Sequence, residues 1–149
     1  MKHLKDISIV KGDIHVDIRL DRFEKQFQDA QYWLDVNVMS DMVPFMPMQT
    51  GTLINLTRAM SAAVAGTGQV YAAAPPYGRF QYMGKVMVDP ETGSPWARKN
   101  VEKVVTKKPI VYSKAAHPLA TSHWFDAAKS THGKKWVETV KKIGGGGKP

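Results

Sequence analysis

Apolar and polar residues alternate at the start of the chain, which is the pattern of half-buried β-strands. Residues 7–10 (ISIV) form a short β-prone run that Gly12 ends, and residues 15–18 (HVDI) alternate polar with apolar side chains. Two such runs around Lys11, Gly12 and Asp13 predict an antiparallel N-terminal hairpin.

The period of the apolar positions then changes to three and four, which predicts an amphipathic helix over residues 21–40. Asp21 is the expected N-cap, and Glu24, three residues later, resembles the second half of a capping box. Pro44 and Pro47 should end the helix. The apolar stripe consists of Leu20, Phe23, Phe27, Ala30, Leu34, Val38 and Met42.

The residues around these two prolines are too apolar for an ordinary exposed loop. Phe45 and Met46 either cap the core or contact a partner chain, and we keep both as candidate interface residues. Thr50 and Gly51 then supply an entry turn.

The next stretch favours two structures at once. Residues 53–65 are rich in alanine, which favours helix, but residues 66–72 (GTGQVYA) are typical of a β-hairpin. We predict a strand from about Asn55, a turn at residues 66–68 and a return strand to Ala73.

A short helix should follow, because Pro75 and Pro76 can open a first helical turn. Phe80 and Met83 would share its inner face, and Gly84 suits the position just after its end.

An extended arm is expected over about residues 88–112, after a strand at residues 85–88. Residues 89–95 (DPETGSP) are dense in turn-formers, and residues 101–105 and 109–112 are candidate strands with Lys107 and Lys108 in a turn between them. Asp89 and Glu91 could be paired carboxylates, but a loop dense in proline and glycine usually carries acids for solubility, and we interpret them so. An arm with so little core of its own could be ordered by a neighbouring subunit.

The last part of the chain is expected to be helical. Thr121 or Ser122 would cap one helix, residues 131–133 would interrupt it, and residues 134–143 would form a second helix. The predicted fold is α+β: an antiparallel sheet packed against a long N-terminal helix, with an extended arm and C-terminal helices. We predict one domain over residues 1–143, with a flexible glycine-rich tail at 144–149.

Composition narrows the possible functions. The 149 residues contain no cysteine, and the N-terminus has no apolar segment of the kind that a secretory signal carries. No apolar run is long enough to cross a bilayer, so we expect a protein made and used in the cytoplasm, or in a particle assembled there, without a membrane partner.

The net charge of +8 lies in the last third, where residues 97–149 hold twelve basic and three acidic side chains. This asymmetry is consistent with a solvated lysine-rich periphery, or with contact to nucleic acid or an acidic protein surface.

The sequence carries no motif for catalysis. The five histidines do not form a metal set, and the chain has no nucleophile elbow, phosphate-binding loop or zinc-protease helix. We therefore predict neither an enzyme nor a cofactor or metal site. Trp96 stands in a loop with little apolar company, which makes it a candidate interface anchor.

Residues 45–53 (FMPMQTGTL), 71–84 (YAAAPPYGRFQYMG), 85–98 and 112–129 resemble the minor capsid proteins of siphophages, and more distantly the neck and tail-completion proteins of long-tailed phages. The resemblance covers about residues 44–140. It rests on a Pro-x-x-Thr-Gly-x-Leu turn, a tyrosine-rich segment ending in glycine, and a late proline-aromatic-alanine helix start. The distant group usually has glutamate two residues before that glycine, where this chain has Tyr82. The residues assigned to these turns and to the core are Pro47, Thr50, Gly51, Leu53, Tyr77, Tyr82, Gly84, Pro118, Trp124 and Phe125.

The resemblance implies a structural virion protein: a subunit of a ring of six or twelve copies in the phage neck, assembled in the host cytoplasm. Its partners would be itself, a head-completion or stopper protein, a tail terminator, and genomic DNA in the channel through non-specific contact. The alternative is a basic DNA-binding accessory protein. The candidate interface residues are Trp96, Arg98, Lys99, Lys107, Lys108, Phe45 and Met46.

Overall fold

The computed structural model of the protein describes residues 6–76 and 78–145. It has four helices, one 3₁₀ turn and two separate two-stranded antiparallel sheets over those residues, which confirms the α+β class. In chain order the elements are β1 (Ile7–Lys11), β2 (Ile14–Ile18), α1 (Asp21–Met42), the 3₁₀ turn (Val43–Phe45), α2 (Thr52–Ala63), α3 (Gly78–Met83), β3 (Lys85–Val88), β4 (Val104–Pro109) and α4 (Trp124–Ile143).

The body of the protein is the antiparallel pair of α1 and α4. Phe45, just after α1, lies edge-on to His132 at 6.5 Å between ring centroids, while Phe27 near the start of α1 lies beside Gly144. The indole Nε1 of Trp136 donates to Asp41 Oδ2 at 2.7 Å across this interface. The buried cluster comprises Val38, Met39, Met42, Met46, Ile54, Trp124, Ala128 and Trp136.

The predicted helix α1 is present, but its N-terminal details differ from the prediction. Leu20, not Asp21, is the N-cap residue, and its own side chain makes no capping hydrogen bond. Only the second half of the predicted stripe is buried, since Phe23 and Phe27 are 48% and 49% exposed.

The predicted strand from Asn55 is wrong, because those residues form helix α2. The segment that follows does return antiparallel to it, but the partner groups are side-chain hydroxyls. Thr57 Oγ1 accepts from the Ala74 N–H at 3.0 Å, and Ser61 Oγ accepts from the Tyr71 N–H at 3.1 Å. No sheet of the described residues therefore includes this stretch, and α1 packs on α4 and α2 instead.

The turn between α2 and the returning segment is tied to α1 by a buried acid. Asp35 Oδ2 accepts from the backbone N–H groups of Gly66 and Gly68 at 2.8 and 3.0 Å, and Asp35 Oδ1 accepts from Gln31 Nε2 at 2.7 Å. Both glycines have positive φ, 89° and 81°, which L side chains rarely adopt. The predicted turn thus exists, although it joins a helix to an extended segment.

Helix α3 ends as predicted at Gly84, which has φ 68° and donates its N–H to Phe80 O at 3.1 Å. Its inner face differs: Met83 is 50% exposed, while Tyr82 packs T-shaped on Trp124 at 4.9 Å. Tyr77, predicted to belong to this region's structural core, lies outside the described residues.

We call β3, β4 and the loop between them, residues 85–109, the arm. Its ladder pairs Lys85 with Pro109 and Val88 with Val104, and Ile110 N–H extends it by donating to Gly84 O at 2.9 Å. The predicted turn at Lys107 and Lys108 is wrong, because both lie within β4.

The two predicted C-terminal helices are one helix, α4, with Gly133 in its interior. A mid-helix glycine costs only about 1 kcal/mol relative to alanine, which the packing of α4 along α1 outweighs. His123, with φ 49°, occupies the N-cap position that the sequence assigned to Thr121 or Ser122. No helix in the described part of the chain is long and apolar enough to cross a membrane.

Candidate functional site

The N-terminal ribbon, which we define as β1 and β2, leaves an apolar face uncovered. The register pairs Ile7 with Ile18 and Ile9 with Val16, so their side chains lie on one face together with that of Ile14. All five are between 43% and 66% exposed. At the base of the ribbon, Asp6 Oδ1 accepts from the Leu20 N–H at 2.8 Å. The ribbon is therefore joined to α1 without packing its apolar face on the body.

The loop of the arm is organised around Asp89, whose side chain is fully buried. Its Oδ1 accepts from the N–H groups of Glu91 and Thr92 at 2.9 and 3.2 Å. Its Oδ2 accepts from the N–H and Nε of Arg98 at 3.2 and 2.9 Å. The interpretation of Asp89 as a solubilising acid is thus wrong: it ties the two ends of the loop together.

Charge reinforces this arrangement. Arg98 and three backbone N–H groups hold the pKa of Asp89 well below its ordinary value, against the opposing effect of burial. The Nη1 atom of Arg98 also donates to Glu91 Oε2 at 2.6 Å. The two carboxylates raise the pKa of Arg98 above its ordinary value, so this group is charged at any relevant pH.

The arm presents most of the predicted interface residues to solvent. Trp96 is 84% exposed, the side chain of Arg98 is 47% exposed, and Lys99, Lys107 and Lys108 are exposed. Their role in an interface stays a prediction.

The two remaining interface candidates lie in the body. Met46 is fully buried in the core, so its assignment to a surface is wrong and the alternative core interpretation holds. Phe45 is half-buried and packs against the same cluster. The carbonyl of Met46 lies 2.8 Å from His117 Nδ1, which joins this turn to the segment before α4.

An uncharged groove of about 620 Å³ opens beside the predicted entry turn. One wall is the turn and the start of α2, which carry Pro47, Met48 and Leu56; the other wall is residues 110–113, which leave the base of the arm. Of the residues predicted to form the turn, Pro47, Thr50, Gly51 and Leu53 all line the groove. The sequence offered no signal for it, because its two walls are about 60 positions apart in the chain.

Most of the other residues that the sequence assigned to turns and core do lie in a turn or pack in the core. Trp124 is fully buried, and its Nε1 donates to Ala72 O at 2.7 Å. Tyr82 and Phe125 pack against the core, and Pro118 lies in an exposed turn. Burial, together with the charge of Asp126, raises the pKa of Tyr82.

Four lysines form a stripe on the outer side of α4. Lys134 and Lys141 are seven residues apart, as are Lys135 and Lys142, and all four are exposed. Two helical turns separate each pair, so they share one side of the helix, away from Trp136.

The described residues contain no group of three or more acidic or histidine side chains placed to hold a metal ion. A scan against protein-family models found no match, and searches of curated proteins and of solved structures found no significant match either.

Proposed function

We propose that this chain is a structural subunit of a ring in the neck of a tailed phage, joining the capsid portal complex to the tail around the DNA channel. The observation that carries an assembly role is the apolar face of the N-terminal ribbon, which nothing in the described chain covers. The phage setting comes from the resemblance of residues 44–140 to siphophage minor capsid proteins.

A ribbon with an exposed apolar face is unfavourable in a protein that binds no partner. A two-stranded hairpin is at best marginally stable in water, and it gains stability when its apolar face packs on a surface. The five branched aliphatic side chains on this face form an apolar surface that a partner can bury. The outer edges of β1 and β2 also have free backbone groups, since each strand pairs only with the other in the described chain.

The start of α1 extends this apolar surface along the chain. Phe23 and Phe27 are four residues apart, so they lie on one side of the helix, and each is about half exposed. An uncovered ribbon followed at once by two half-exposed phenylalanines favours a role within an assembly, either with further copies or with the head-completion and tail-terminator proteins.

Phage particles provide the test. Particles assembled without this protein should be tailless heads accompanied by free tails, as seen by negative-stain electron microscopy. Supplying the wild-type protein in trans should restore joined particles, whereas complete infectious particles formed without it would overturn the proposal.

Two matched variants connect the test to the ribbon. Ile9→Asp places a charge on the apolar face, while Val10→Asp places the same charge on the opposite face, beside His15. Ile9→Asp should fail to restore joined particles, and Val10→Asp should restore them. Equal restoration by both would show that the apolar face is not the assembly surface.

The lysine stripe on α4 favours a second candidate, a DNA-binding accessory protein. Binding through Lys134, Lys135, Lys141 and Lys142 should weaken steeply as salt rises, because phosphate contacts release counterions. Fluorescence anisotropy with labelled duplex DNA tests this against a variant in which all four are glutamine. A flat signal for the wild type at low salt would dismiss this candidate.

A further inference from the structure

The largest side chain that the arm exposes is Trp96. It is 84% exposed, although an indole offers roughly 150–250 Å² that could be buried. A tryptophan side chain is rarely this exposed on a protein surface. Tryptophan is also enriched among the residues that dominate the binding energy at interfaces.

The loop holds this side chain on a stiff support. The Trp96 N–H donates to Ser94 Oγ at 3.1 Å, Lys103 Nζ donates to the carbonyl of Pro95 at 2.5 Å, and Arg98 is fixed by Asp89 two residues later. Groups on both sides of Trp96 are thus bonded within the loop. With its backbone already held, Trp96 loses mainly the rotamer freedom of its own side chain when it binds.

The groove beside the entry turn is large enough to admit an indole. Its volume of about 620 Å³ lies in the range of roughly 300–1,000 Å³ that is usual for binding clefts. Pro47, Pro75, Leu56 and Val111 give it apolar walls, and Met48 and Tyr112 are side chains that pack well against aromatic rings. None of the described residues that line it is charged, which disfavours a charged occupant.

Trp96 does not fill the groove of its own chain. The ladder from Lys85 to Val88 spans about 10 Å at roughly 3.4 Å per residue. Trp96 lies past the far end of this ladder, while residues 110–113, which line the groove, lie at its base. The arm therefore separates the two, as the exposure of Trp96 confirms.

We infer that Trp96 of one copy inserts into the groove of a neighbouring copy. This inference rests on the proposed function, since it supplies the contact by which copies assemble. A knob and a hole at different places on the same chain make a head-to-tail contact, which generates a closed ring when the rotation between copies closes. One indole buries far less than the roughly 1,200 Å² of a stable interface, so the contact depends on the rest of the arm and on ring closure.

The test is complementation between two surface variants of the full chain. Trp96→Ala keeps the groove and loses the knob; Leu56→Asp keeps the knob and puts a charge into the groove, at a residue that is 47% exposed. Each alone should associate with itself at least about 30-fold more weakly than the wild type. Mixed together they should form a one-to-one pair, measured by sedimentation velocity and native mass spectrometry.

The control is Val137→Asp, which places the same charge on an exposed apolar residue of α4 and should leave self-association unchanged. A photo-reactive benzoylphenylalanine at position 96 should cross-link to Met48 between isotopically distinguishable copies. If both variants still form rings as the wild type does, the knob-in-groove contact is overturned. Cross-links from position 96 that reach only another surface, or only a different protein, would overturn it as well. Either result would leave the ring proposal intact. A wild type that stays monomeric at all concentrations would overturn the contact between copies, and the particle experiment would then decide the neck function separately.

Discussion

Asp89 and Arg98 close the loop of the arm from its two ends. The Oδ2 atom of Asp89 lies 2.9 Å from Arg98 Nε and also accepts from the Arg98 N–H, so one acid fixes both the side chain and the backbone of its partner. The acid is fully buried, while the guanidinium that covers it is about half exposed. The loop that presents Trp96 therefore depends on one ionised carboxylate.

Asp89→Asn should release one end of the loop more than the other. Asparagine can still accept from Glu91 and Thr92 through its oxygen, but its amide group would face the donors of Arg98. The Arg98 N–H should exchange with solvent severalfold faster, and the N–H groups of residues 91 and 92 should change less. Hydrogen exchange followed by nuclear magnetic resonance measures each site.

Glu91→Gln is the matched control for this substitution. It removes one charge from the same cluster, but the Glu91 side chain is 73% exposed and exposed ion pairs contribute little. Exchange at Arg98 should be close to that of the wild type. Equal effects of the two substitutions would show that buried Asp89 does not control the loop.

The loop should open in acid, because the pKa of Asp89 is lower in the folded loop than in an unfolded chain. The contribution of the ionised form is complete above the ordinary aspartate pKa of about 4, and it falls as the pH drops below that value towards the folded pKa. The Arg98 Nε resonance should shift towards its free position only in strong acid. In Asp89→Asn, the same resonance should show no such transition, and a transition centred near pH 4 in the wild type would contradict the lowered pKa.

Local periodicity predicted the elements that bury one face or alternate along a short run. The N-terminal hairpin, α1, β3 and the stop at Gly84 followed from spacing and turn chemistry alone. The strand from Asn55 failed because the glycine turn at residues 66–68 joins two antiparallel segments in either structure. Thr57 and Ser61, four residues apart, hydrogen-bond the returning segment from a helix, which imitates the pairing of a hairpin.

The features of the candidate site depend on contacts that no local pattern shows. An acid followed by proline, glycine and serine is the composition of a solubilising loop, and only the fold places Arg98 over Asp89. An arginine nine residues after the acid was the one available signal, but such pairs are common. Trp96 was named as a candidate interface anchor because its loop has few apolar residues, whereas the groove arises from segments that meet only in the folded chain.

Thr57→Val should destabilise the body of the protein. The substitution keeps the shape of a fully buried side chain but removes Thr57 Oγ1, which accepts a hydrogen bond from the Ala74 N–H at 3.0 Å. The Ala74 N–H is then left without an acceptor. An unsatisfied buried donor costs about 1–3 kcal/mol, and urea unfolding should show a loss of that size.

Thr131→Val serves as its control because it makes the same change on an exposed residue. Thr131 Oγ1 donates to Ala127 O four residues earlier, as Thr57 Oγ1 does to Leu53 O, but it accepts no bond from a distant segment. Its free energy of unfolding should stay within about 0.5 kcal/mol of the wild type. A similar loss in both variants would assign the effect to the helix and not to the contact with residue 74.

Gly84→Ala tests the junction between α3, the arm and the start of α4. Gly84 has φ 68°, and a Cβ there would lie 2.7 Å from Ser122 Cβ. The left-handed backbone costs about 1–2 kcal/mol for alanine, and the clash adds a further cost of about 1–3 kcal/mol. Gly93→Ala, with φ 65° and no atom within 4 Å of its Cβ, should show the backbone cost alone.

Because the clash is with a side chain, Ser122→Gly should restore part of the stability of Gly84→Ala in a double-mutant cycle measured by urea unfolding. Additive losses in that cycle, or equal losses for the two alanine variants, would show that Gly84 is required only for its backbone conformation.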